Sequence, residues 1–154
     1  MMVRELRAAG LDVPLFGGDA MDTADFYPAV GPELGNNIFI STHGYIGPEA
    51  GPAMEDYLAL YEAKYGEWPE TAFSILGWDV IYMLADAIER AGTTDGPALA
   101  KAMEEGSYEM LSGNLTWADA AGGHAPSKEA FILEVKDGKA TFVERLAPEW
   151  TPAI

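Results

Sequence analysis

The chain has 154 residues, 49 per cent of them hydrophobic, enough for the packed core of one average domain. Its 25 acidic residues against 9 lysines and arginines give a formal charge of −16, which argues against nucleic acid and against an anionic membrane surface as partners. No cysteine is present, so disulfides, thiolate nucleophiles and cysteine metal sites are excluded, and no apolar run approaches the ~18 residues of a membrane span.

Met1-Met2-Val3-Arg4-Glu5 leads straight into an amphipathic helix rather than a signal peptide, so the leader of an exported form is expected outside this chain. Val3, Leu6, Ala8 and Ala9 mark a short helix ending at Gly10, a left-handed C-cap. The stretch 13–16 reads as a buried strand broken by Gly17-Gly18, and 19–34 as loop and short helix punctuated by Pro28, Gly31 and Pro32. A second buried strand is expected over 37–41, and 43–52, with three glycines and two prolines, is a connection.

Met54, Tyr57, Leu58, Tyr61 and Tyr65 share one helical face, and Gly66 with Pro69 ends that helix. The longest helix is expected over 71–91. Its apolar stripe of Phe73, Leu76, Val80, Met83, Leu84, Ala87 and Ile88 is wide enough for a largely buried element. Trp78 and Tyr82 read as core, whereas Phe73 lies in the first turn, where a helix end can face a cleft. Asp79 falls inside the apolar run and needs a buried partner, a backbone amide or an arginine. A third helix over 97–105 is capped by Thr94 or Asp95. Then come a short strand over 115–117, a polar loop over 118–128, and strands over 130–135 and 140–146. Asp137-Gly138 between the last two predicts a type I′ hairpin turn. The tail after Ala147 is expected to be irregular.

Phosphate loops, G-x-G-x-x-G turns and nucleophile elbows are missing from the sequence, and His43 and His124 stand far apart. No cofactor and no catalysis are expected. Asp19, Asp22 and Asp25, spaced by three, would share one helical face and offer oxygen ligands to a hard cation, as in a metal-dependent hydrolase. The preferred reading places them near a helix N-terminus, where the macrodipole stabilises acids.

An ordered series of segments points further. It comprises Pro14-Leu15-Phe16-Gly17-Gly18-Asp19, Phe39-Ile40-Ser41-Thr42-His43, Lys64-Tyr65-Gly66-Glu67-Trp68-Pro69, Gly77-Trp78-Asp79-Val80, Leu84-Ala85-Asp86-Ala87-Ile88, Gly113-Asn114-Leu115-Thr116-Trp117 and Val135-Lys136-Asp137-Gly138-Lys139. The series resembles the C-terminal half of the branched-chain amino acid binding proteins of ABC importers, which are type I periplasmic binding proteins. The resemblance implies an α/β fold of two lobes that clamp a ligand between them, present here in part. On that pattern 1–154 is a single incomplete unit, with 1–42 and 130–146 in the second lobe and 43–129 a helical segment of the first. The first lobe's leading strands, which in this family meet the ligand carboxylate, are expected outside the chain. The resemblance further implies a periplasmic or extracellular protein that binds amino acids and hands them to an ABC permease. In its ligand-binding set Asp19 pairs with an ammonium group and Phe73 packs on the ligand side chain, with Met21 and Tyr45 beside them. A sensory domain of the same fold is the alternative. Trp78 stands where the family usually has Tyr, and Asp19 where some relatives carry Glu. Unpaired strand edges and an apolar helix face make a homodimer of the chain an expectation as well.

Overall fold

β2, Ile38–Thr42, alternates so that Ile38, Ile40 and Thr42 turn to one face and are buried. β1, Leu15–Gly17, pairs with it in parallel, Leu15 opposite Ile38 and Gly17 opposite Ile40. On its other side β6, Ala130–Lys136, runs antiparallel, Thr42 opposite Phe131 and Ile38 opposite Val135. β7, Lys139–Leu146, closes a four-stranded sheet of order β1-β2-β6-β7. The β6–β7 turn is as expected, with Asp137 at φ 51° and Gly138 at φ 72°. Helices α1, Met2–Ala8, and α2, Phe26–Leu34, contribute Val3 and Val30 to a core with Ile38, Ile40, Phe131, Leu133 and Val135. Gly31, at φ 68° ahead of Pro32, kinks α2. The structure is a computed structural model that describes residues 2–117 and 125–149; residues 118–124 of the loop expected over 118–128, with His124, and the tail from Trp150 lie outside the described residues, and 127–128 of that loop are a short strand instead.

The first strand is shorter and less buried than its sequence implies. Val13 lies outside it, because its carbonyl accepts from Arg7 Nη1 (2.9 Å) instead of joining a ladder. Phe16 is 69 per cent exposed, stacked only on Phe39. β1 is an edge strand, and the face that carries Phe16 is left open among the described residues.

The remaining elements form a second body. α3, Pro52–Tyr65, ends at Gly66 (φ 82°), and α4, Phe73–Ala91, at Gly92 (φ 65°), both left-handed caps. α5, Gly96–Glu104, is capped by Asp95, whose Oδ2 accepts from the Ala98 N–H at 3.2 Å. β3, Ser107–Met110, β4, Gly113–Thr116, and β5, Ser127–Lys128, make a separate three-stranded sheet. Met54, Tyr57, Leu58, Ala72 and Ile75 form this body's own core. The extensive element-to-element packing lies within one body or the other.

α4 departs from expectation. Within it only Ile75, Asp79 and Ala87 are buried, while Trp78 (49 per cent), Ile81 (67 per cent) and Tyr82 (54 per cent) are exposed. The apolar stripe is real, but among the described residues α5 and the α3 core cover just one side of it. Trp78 meets Tyr57 edge-on at 5.5 Å, and beyond that contact the face is open. No described helix is long and apolar enough to cross a membrane.

Candidate functional site

Because β1 and β2 are parallel, their carboxyl ends open onto the same end of the sheet, where ligands of open α/β sheets collect. Gly18 continues extended from β1, and a single 3-10 turn, Asp19–Met21, follows. Asp19 thus stands just past β1, about half exposed, and His43 stands one residue past β2. His43 Nε2 lies 3.5 Å from Asp19 Oδ2 and makes no hydrogen bond, although that atom is buried. The other side of the imidazole meets the Phe73 ring edge-on, centroids 5.2 Å apart. Phe73 opens α4, so this contact spans the two bodies. A depression of about 360 Å³ lies here, lined by Gly18, Asp19, Ser41, Thr42, His43, Lys128 and Glu129 among others.

The floor of this cleft is a network of charges. Lys128 Nζ donates to the carbonyls of His43 (2.9 Å), Ser112 (2.6 Å) and Glu129 (3.1 Å), which uses all three of its protons. Burial pushes the ammonium below the ordinary lysine range, opposed by the Asp79 and Glu129 carboxylates. Asp79, buried on α4 as expected, finds backbone amides: its two oxygens accept from Leu111 N and Ser112 N, each at 3.0 Å. Glu129 Oε2 accepts from Asn114 N (2.7 Å) and from the Arg145 guanidinium. Burial would raise the Glu129 carboxyl, but the Asn114 amide and Arg145 outweigh it and hold the group below its usual range.

The sequence-derived site residues divide. Asp19 lines this depression, and Phe73, outside its lining, is joined to Asp19 through His43. Met21 folds back over β1, its thioether filling the space that a side chain on Gly17 would need. Tyr45 packs on Phe142 at 5.6 Å and lines a different depression, with Asp22, Tyr27, Glu70 and Thr71. Burial, then Glu49, raises the Tyr45 phenol.

The expected common face of Asp19, Asp22 and Asp25 is not formed, because the chain bends between a 3-10 turn and α2. Asp22 is buried and braced, accepting from Tyr27 Oη (2.6 Å) and Thr42 Oγ1 (3.1 Å). Asp25 sits at the start of α2 with no capping bond from its side chain. Among the described residues no three histidine, aspartate or glutamate side chains gather as a metal site. Sequence reasoning missed His43, Lys128 and Glu129 as site residues. For His43 the available signal was its place directly after a buried strand; for Lys128, whose partners are main-chain carbonyls, there was none.

Comparison with known proteins bears on what such a cleft serves. A model of the family described as periplasmic binding protein matches residues 1–140. The Leu/Ile/Val-binding protein homolog 3 of Brucella melitensis is 27 per cent identical over 146 residues, 94 per cent of this chain and 38 per cent of that protein. The crystal structure of a leucine-binding protein, LivK, from Thermotoga maritima superposes with a TM-score of 0.79 at 25 per cent identity, over 96 per cent of this chain and 41 per cent of that one. The isoleucine complex of LivJ from Streptococcus pneumoniae gives 0.75 at 24 per cent, with the same coverage. The chain therefore spans about two fifths of the length of these relatives. It belongs to the periplasmic binding protein family and has, in part, the α/β fold of its type I members.

Proposed function

We propose that this chain forms one side of the ligand cleft of a solute-binding protein that captures amino acids, branched-chain or similar, and delivers them to an ABC permease from the periplasm or cell exterior. The observation that carries the reading is the pairing of an acid with an apolar ring across a junction. Asp19 stands at the carboxyl ends of two parallel strands, and Phe73, from the other body, meets the far side of the His43 ring that neighbours Asp19. A carboxylate attracts the ligand's ammonium, and a half-exposed phenyl ring offers a surface for an aliphatic side chain. In this reading 1–42 and 130–146 belong to one lobe and 43–129 to the other. Groups for the ligand carboxylate come from outside the chain, and capture is followed by lobe closure. Nothing in the arrangement requires bond chemistry.

The test is Asp19→Asn, in a protein that joins this chain to the segment completing the cleft. Removing one partner of a desolvated charge pair costs ~2–5 kcal/mol, so leucine affinity by calorimetry falls more than ~tenfold while the melting temperature barely moves. An unchanged affinity would remove Asp19 from the site and with it the reading.

A further inference from the structure

We infer that Lys128 is the pivot that fixes the angle between the two bodies, and hence the separation of Asp19 from Phe73. Among the described residues two stretches of chain carry the backbone from one body to the other: the exit from β2 through His43, and the step from β5 into β6. Both lie at the same end of the large sheet, where Thr42 pairs with Phe131. Lys128 sits on the second crossing and reaches the first, donating to the His43 carbonyl and to the Glu129 carbonyl. Its third proton goes to the Ser112 carbonyl, in the β3–β4 turn of the helical body. That turn is held to α4 by the two bonds that Asp79 accepts from Leu111 N and Ser112 N. One ammonium thus joins both crossings to the helix that carries Phe73.

Lys128 has a companion at the junction, Glu129, whose Oε2 accepts from Asn114 N of the helical body and from Arg145 of β7. Each body has its own sheet and its own apolar core, and no extensive packing of elements among the described residues joins them. Rotation of one body on the other must change the Lys128–Ser112 distance relative to the two crossing carbonyls. With all three protons engaged, the ammonium has no spare donor to follow such a rotation. The pivot itself stands apart from ligand identity; its bearing on capture rests on the function proposed above.

The chain has no cysteine, so labels can be placed without background. Spin labels at Lys101→Cys on α5 and Lys139→Cys at the hairpin, both exposed, report the distance between the bodies by pulsed dipolar spectroscopy. The parent should give a narrow distribution. Lys128→Met should broaden it about twofold or displace its maximum, and Lys128→Arg, which keeps donors on a long stem, should restore a narrow one. A role confined to stability would lower the melting temperature and leave the distribution as in the parent. That result, a folded Lys128→Met with a distribution superimposable on the parent's, overturns the inference. If Lys128→Met does not fold, Lys128→Gln is judged by the same criterion. Asp19→Asn should leave the distribution unchanged, so failure of the ligand reading and failure of the pivot are told apart.

Discussion

Replacing Asp79 by alanine separates a structural charge from a decorative one. The Asp79 side chain is buried, so solvent does not screen it, and it accepts two main-chain N–H bonds at 3.0 Å while facing Lys128. A hydrogen bond to a charged group contributes roughly 1.5–3 kcal/mol, so losing two predicts a cost of about 3–6 kcal/mol. The Lys128 ammonium would also lose its facing carboxylate, which pushes the cost toward the upper end. Against a total stability of about 5–15 kcal/mol for a domain, this is a large fraction. Urea unfolding followed by circular dichroism reads it: with a slope of about 2 kcal/mol per molar, the midpoint should fall by roughly 2 M. Protein concentration must be held fixed, since any association would raise apparent stability. Asp86→Ala is the control, because its pair with Arg90 is half-exposed and worth under ~1 kcal/mol. If Asp79→Ala costs no more than Asp86→Ala, the buried carboxylate is not what holds the β3–β4 turn to α4.

Two further outcomes follow. Ile81→Glu, on the open face of α4 beside Trp78 and Tyr82, should weaken self-association of the chain in light scattering at micromolar concentration; a parent that is already a compact monomer would show that this face needs no cover. Glu129 is held below its unfolded range by Asn114 and Arg145, so it adds stability above pH ~4.3 that is lost as pH falls through the lower folded value; Glu129→Gln should therefore differ from the parent at pH 7 and converge with it in acid, and a constant difference would contradict this.

Where one local rule decides the outcome, sequence and structure agree. The alternation in β2 and β6, the Asp137-Gly138 turn and the glycine caps at Gly66 and Gly92 are settled by a few neighbouring residues. β3 was missed because its Ser-Tyr-Glu-Met run buries just Tyr108, too little to register as a strand pattern. Trp78 and Tyr82 were misjudged for a different reason. Helical spacing reports which face of α4 is apolar, and it is silent on whether an element lies against that face. The place of Asp19 past a strand's end was legible from two glycines before an acid. The supposed face shared with Asp22 and Asp25 failed because a spacing of three carries meaning only along a continuous helix, and none runs through 19–25.

The choice of groups at the junction has its own logic. An apolar contact between the bodies would have to be exposed whenever the cleft opened, at a cost set by the area uncovered. An ammonium bound to main-chain carbonyls holds one angle while its three bonds stand, and it can exchange an acceptor for water only at a cost of about 1–3 kcal/mol for the carbonyl left behind. The same exchange is poor at Asp79, whose two amide partners lie within the helical body and have no reason to separate when the bodies rotate. The network therefore divides into a fixed half, Asp79 with the 111–112 turn, and a half able to yield, Lys128 with the carbonyls of His43, Ser112 and Glu129. The capture and closure proposed above, which would hold Asp19 and Phe73 at one separation and release them to another, call for both halves.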